Sequence, residues 1–182
     1  MNTAVVHEQL WWFIARSGGI VALALSAASV VWGLLLSTKI AGSKPRPAWL
    51  LDLHKFLGAL SVVFTAIHVV ALMLDSYVSF GLREALIPMA SAWKPGAVAW
   101  GVVAMYLLLA VQGSSMLMKR MSRRMWRIVH MLSYGVFVSG MVHGFQAGTD
   151  AGHPVYVGAS IAAIIMTVFL TAYRVFSSWR GR

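Results

Sequence analysis

The sequence contains no cysteine, which excludes disulfides, thiolate metal sites and thiol catalysis. Acidic residues are scarce as well: 5 in a chain of 182, against 15 Lys and Arg. Charged residues of both signs make up only 11% of the chain, while 59% is hydrophobic and the mean hydropathy is +0.76. A soluble domain of this length could not cover so much apolar surface with so few charges. There is no Gly-x-Gly-x-x-Gly sequence and no phosphate loop, so no nucleotide-binding segment is expected here. Met1 to Leu10 lack a basic stretch and a small-residue cleavage site, so the first apolar block is expected to be an anchor rather than a cleaved signal.

What the chain does have is long uncharged blocks, without the spacing of amphipathic surface helices. Five stretches, at about 11–37, 50–74, 96–118, 126–146 and 154–176, are each long enough to cross a hydrocarbon core of roughly 30 Å. Backbone polar groups in lipid must be satisfied internally, so these stretches are expected to be helices. The expected fold is a single all-α membrane domain, a bundle of five transmembrane helices embedded in the lipid bilayer.

The net charge of +10 is distributed by loop rather than gathered on one helical face, which argues against nucleic-acid binding. Lys39, Lys44, Arg46 and Lys55 lie around the first connection. Lys119, Arg120, Arg123, Arg124 and Arg127 lie around the third, and Arg174, Arg180 and Arg182 lie at the C-terminal end. The other side carries only Arg16, Arg83 and Lys94, together with Glu8, Asp75, Glu84 and Asp150. The excess of Lys and Arg on one side predicts an outside N-terminus and a cytoplasmic C-terminus. Lys44-Pro45-Arg46-Pro47 cannot continue a helix. The stretch from Ser76 to Trp93 is long enough to fold at the outer surface, with a short interfacial helix over Phe80 to Met89. Trp11, Trp12, Trp49, Trp93, Trp126 and Trp179 fall near span ends, as aromatic belts do.

Four of the 6 histidines lie inside spans: His54 and His68 in the second, His130 and His143 in the fourth. Ionisable groups in a membrane are costly and usually face a functional interior. The second and fourth spans run in the same direction, so His54 and His130 fall near the cytoplasmic end and His68 and His143 near the outer end. Imidazole is a standard axial ligand of haem iron, and a bis-histidine iron suits electron transfer because no position stays open for substrate. A spacing of 14 residues separates His54 from His68, about 21 Å along an ideal helix and about 40° short of four turns, so these two share a face. His130 and His143 are 13 residues apart, about 140° short of four turns, and a straight helix would not aim both rings alike. Gly135 and Gly140 lie between them and could allow a kink.

This pair of spacings, His-x13-His on one helix and His-x12-His two helices later, resembles the ferric reductase-like transmembrane domain, the family of NADPH oxidases and ferric-chelate reductases. The likeness extends from Arg16 to the end of the fifth span. It implies two b-type haems, an inner one between His54 and His130 and an outer one between His68 and His143. It also implies that Arg16 meets the outer haem propionates; the competing reading is snorkelling to the interface. Lys55, Arg124 and Arg127 flank the inner pair, as inner propionate partners or as topology signals alone. In the NADPH oxidase branch a further histidine lies one turn beyond the outer ligand of the second span. That position is Leu72 here, which argues against dedicated superoxide production. Single-domain bacterial haem subunits are the nearer likeness, implying the bacterial cytoplasmic membrane.

The resemblance implies a transmembrane electron conduit. A cytoplasmic flavin or NAD(P)H reductase on a separate chain would be the donor, and a protein or small molecule outside would be the acceptor. The Arg-rich third connection suits docking of an acidic flavoprotein or of anionic lipid headgroups. Two other functions compete: a cytochrome b anchor subunit of a quinone-linked complex, and a non-redox proton or metal transporter. No acidic residue lies within the membrane interior to relay a cation, Asp52 standing at the very start of the second span, which counts against the transporter. For Met131 and Met141 core filling is expected rather than metal ligation. Phe64 and Phe137 lie between the two levels, where packing between the macrocycles and ordinary apolar packing explain them equally, and the Gly140-x-x-x-Gly144 pair permits close helix approach or makes room for the porphyrin. His7 and His153 are expected to be ordinary loop histidines.

Overall fold

A computed structural model of the protein describes residues 3–38, 40, 42, 45–76 and 80–180. Lys39, Lys44 and Arg182, used above for the charge asymmetry, lie outside the described residues, as do the side chains of His7, Glu8 and Arg180. The elements are α1 (Thr3–Thr38), α2 (Pro47–Leu74), α3 (Leu82–Leu86), α4 (Pro95–Met116), a 3₁₀ turn (Met118–Arg120), α5 (Arg123–Met131), α6 (Ser133–Ala147) and α7 (Pro154–Arg180). The described residues contain five helices long and apolar enough to cross a membrane: Gln9–Thr38, Pro47–Leu74, Pro95–Met116, Arg123–Ala147 and Pro154–Ser177. They form no strand.

Local chemistry sets the boundaries. Pro47, Pro95 and Pro154 stand first in α2, α4 and α7, where a missing N–H costs no helical bond. At the start of α5 the Ser122 hydroxyl accepts a hydrogen bond from the Met125 amide at 3.2 Å, a side-chain N-cap. α2 stops where Asp75 turns extended, at φ −77° and ψ 134°.

The fourth span is not one helix. It breaks at Leu132 into α5 and α6, with the Leu132 amide bonded to the Val129 carbonyl three residues back at 3.0 Å. The sequence pointed to Gly135 and Gly140 as the place to kink; the break lies ahead of both. A 3₁₀-type turn winds the chain about 20° further per residue than an α-turn. It therefore recovers part of the rotation by which His143 falls short of His130.

Packing follows membrane rules. The buried residues are mostly small, including Ala15, Ala22, Ala27, Ser61, Ala71, Ser139 and Ser160, and let backbones approach closely. Large apolar side chains such as Phe13, Phe56, Val70, Val155 and Phe169 are exposed and face the lipid. α1 packs along α2 and also meets α6 and α7, while α4 packs along α6. α2 does not pack closely on α5 or α6, so a gap separates the two histidine-bearing spans.

The connection before α4 departs from a surface hairpin. Among its described residues only Leu82–Leu86 is helical, and the Tyr106 hydroxyl, midway along α4, donates to the Leu86 carbonyl at 2.8 Å. That bond draws the segment down the side of the bundle instead of leaving it at the surface. Residues 77–79 of the connection lie outside the described residues.

Candidate cofactor site

The four span histidines meet across the gap in two pairs. His54 and His130 have ring centroids 5.9 Å apart with planes at 73°, and His68 and His143 are 6.2 Å apart at 75°. His54 and His130 sit towards the end that carries the basic loops, and His68 and His143 towards the opposite end. Each histidine of α2 thus faces one of the fourth span, at both levels.

Three of the four rings are held by one repeated device. The Nδ1 of His68 donates to the Ala15 carbonyl at 2.6 Å, that of His54 to the Ser29 carbonyl at 2.9 Å, and that of His143 to the Ala97 carbonyl at 2.8 Å. A carbonyl can only accept, so each Nδ1 carries the proton and Nε2 keeps its lone pair for a metal. Each of these carbonyls already serves its own helix, and a second donor reaches it only where the residue four positions on has no Cβ. That residue is glycine every time: Gly19, Gly33 and Gly101. A Cβ at Gly19 would stand 2.9 Å from His68 Nδ1, at Gly33 3.1 Å from His54 Cε1, and at Gly101 2.8 Å from the His143 ring. Such donors to a backbone carbonyl fix ring orientation and raise ligand basicity.

His130 is held differently. Its Nδ1 lies 3.5 Å from the Ser115 hydroxyl, at the limit of a hydrogen bond, and Ser115 already donates to the Val111 carbonyl at 2.8 Å. Its ring instead stacks on Trp126, one turn earlier in α5, with centroids 4.9 Å apart and planes at 23°. Sequence reasoning placed Trp126 in the interfacial belt and missed this contact, although the i, i+4 spacing of Trp126 and His130 signals it. It also missed the carbonyl donors. Their trace is in the sequence: Gly19 and Gly33 stand 14 residues apart, the same interval as His54 and His68.

Around the His68–His143 pair lies a cleft with about 1470 Å³ of empty space, part of it open to the outside. Gly19, Gly101, Gly140 and Gly144 line it, and Leu72 and Trp93 complete its wall with Phe80 and Ala85 of the descending connection. Phe137 and Met141, which sequence reasoning left between packing and site roles, are buried in an apolar cluster with Ala27.

Arg16 and Asp150 stand in the wall of this cleft. The Arg16 Nε donates to Asp150 Oδ2 at 2.6 Å and the Nη2 to Oδ1, a two-pronged ion pair joining α1 to the α6–α7 loop. The guanidinium bonded to it holds the Asp150 carboxyl below the ordinary carboxylate range. The anionic partner of Arg16 is thus a residue of the chain itself. Lys55, Arg124 and Arg127 are exposed, and Arg127 donates to the Arg123 carbonyl at 3.3 Å; no contact joins them to the His54–His130 pair. On the opposite side Lys94 donates to the Gln146 carbonyl at 3.0 Å, neutralising the C-terminus of α6. His153 is a loop residue whose Nδ1 accepts from the Val155 amide at 3.3 Å.

Five membrane-length helices carrying two half-buried imidazole pairs define a transmembrane redox protein. Residues 18–141 match the family described as ferric reductase like transmembrane component, and the chain belongs to that family. The match takes in His54, His68 and His130 and ends at Met141, just short of His143. No curated protein and no solved structure is significantly similar to the chain.

Members of the family typically bind haem, and the residues present fit it. A metal–imidazole bond of about 2 Å puts the centroids of two rings that share one metal ion ~6 Å apart, the separation of both pairs. Among the described residues no group of three or more His, Asp or Glu could hold a bare ion. Two ligands per level suit iron that brings its other ligands in a macrocycle. The glycine-lined cleft around the His68–His143 pair leaves room for that ring.

Proposed function

We propose that the protein carries electrons across the membrane through two b-type haems, one between His54 and His130 and one between His68 and His143. In this reading the electron enters from a cytoplasmic reductase on another chain and leaves to an acceptor on the outer side. The two imidazole pairs, each at the separation of axial ligands of one metal, carry the reading. Bound haem supplies a one-electron couple at each level. The chain's own part is to present Nε2, to keep Nδ1 of His54, His68 and His143 protonated against a carbonyl, and to exclude water with apolar helix faces. The charge asymmetry of the loops supports placing the His54–His130 pair on the cytoplasmic side. The exposed Arg123, Arg124 and Arg127 beside that pair form a surface for an acidic donor protein.

A reduced-minus-oxidised spectrum with a haem count tests this on purified protein. Two low-spin haems per chain are expected, and haem-free protein would sink the reading. His68→Ala is expected to lose one haem and keep the other; retention of both overturns the pairing.

A further inference from the structure

A buried polar atom without a partner is destabilising, and each one in a folded protein calls for an explanation. Among the described residues the indole nitrogens of Trp32 and Trp126, the Tyr156 hydroxyl, Asp75 Oδ2 and Thr167 Oγ1 are in this state. Two of them stand beside the two histidine pairs, one at each.

Trp126 is pinned by its stacking on His130, which fixes where its N–H points. It precedes His130 by one helical turn, so it lies between that histidine and the basic end of the bundle. Tyr156 is pinned by an edge-to-face contact with Phe145, ring centroids 5.4 Å apart. Its hydroxyl lies against Gly144, next to His143, and the residue lines the cleft around the His68–His143 pair. It stands near the opposite end of the bundle, at the third position of α7. Each ring is held by an aromatic neighbour, each polar tip is a donor without an acceptor, and each lies on the surface side of its pair.

The cations expected at these places are engaged elsewhere or exposed. Arg16 is bonded by both oxygens of Asp150, and Lys55, Arg124 and Arg127 are at the surface. Resting on the two-haem reading, we propose that the Trp126 N–H and the Tyr156 hydroxyl donate hydrogen bonds to the carboxylates of the two haems, one at each end. Neutral donors suit this place. They satisfy a carboxylate without adding a charge to a low-dielectric site, and the carboxylate removes two orphaned donors from the interior. A donor on the carboxylate also draws negative charge away from the iron, which favours the reduced state.

The test uses Trp126→Phe and Tyr156→Phe in the purified holoprotein. Phe keeps an aromatic ring against His130 or Phe145 and removes only the donor's reach. Each variant is expected to lower the midpoint potential of one haem, a different one in each, and to shift that haem's propionate bands in resonance Raman. Loss of one haem, different in each variant, counts equally in favour. Unchanged potentials and bands at full haem content overturn the proposal while leaving the conduit reading intact, as does an effect of both variants on the same haem. Haem-free wild-type protein instead overturns the conduit reading and the proposal with it. Should a variant fail to assemble, wild-type protein reconstituted with haem dimethyl ester replaces it. Weaker binding than haem is expected, and equal affinity overturns the proposal.

Discussion

Glycine, the smallest residue, decides the most at the histidines. Gly19, Gly33 and Gly101 each open a helix carbonyl to an imidazole on the neighbouring helix, and none of them needs an unusual backbone angle to do so. Their role is steric. Gly101→Ala puts a Cβ 2.8 Å from the His143 ring and is expected to destabilise the fold by ~1–3 kcal/mol, as overpacking does. The haem between His68 and His143 is expected to bind more weakly as well. Gly158→Ala is the matched control, since a Cβ there meets nothing within 4 Å. Thermal unfolding in detergent and a haem count compare them; equal behaviour of the two variants would refute the steric account.

The histidines themselves were legible residue by residue, because four ionisable side chains in spans of this hydropathy have few other uses. Their carbonyl partners were not. A backbone acceptor leaves no mark of its own in the sequence, since every residue type offers the same carbonyl. Arg16 illustrates the opposite case. It was expected to meet haem propionates or to snorkel to the interface; it is exposed and bonds Asp150, on a loop 134 positions away.

At the scale of elements, the broken fourth span matters most. The periodicity of 3.6 residues assigns His130 and His143 to different azimuths, yet both rings face partners on α2, and the tightened turn at Leu132 recovers part of the rotation between them. Inserting one Ala directly after Leu132 should therefore be severe. It rotates α6 by about 100° and shifts it by roughly 1.5 Å, carrying His143 out of line with His68. The expected result is one haem per chain, the His54–His130 haem being kept. Two haems at wild-type yield would show that the turn does not set the alignment. α3 was foreseen in place but not in depth. Its short amphipathic stretch is readable, whereas the Tyr106 bond that draws Leu86 down beside the cleft joins two segments whose packing no local pattern encodes.

For the whole molecule the charge asymmetry makes a prediction of its own. A C-terminal alkaline phosphatase fusion is expected to be inactive and a C-terminal green fluorescent protein fusion bright, as for a cytoplasmic terminus; the reverse pattern would invert the proposed direction of electron flow.

The sequence by itself determined the five spans, their sidedness in charge and the depth of four histidines. Each follows from a rule that acts along the chain: hydrocarbon thickness, the distribution of Lys and Arg, and the rise of a helix. Which ring faces which, what holds each Nδ1, where the fourth span breaks and whom Arg16 pairs with were decided by the tertiary structure. Those depend on backbone carbonyls and on gaps between helices, and both exist only once the helices have packed.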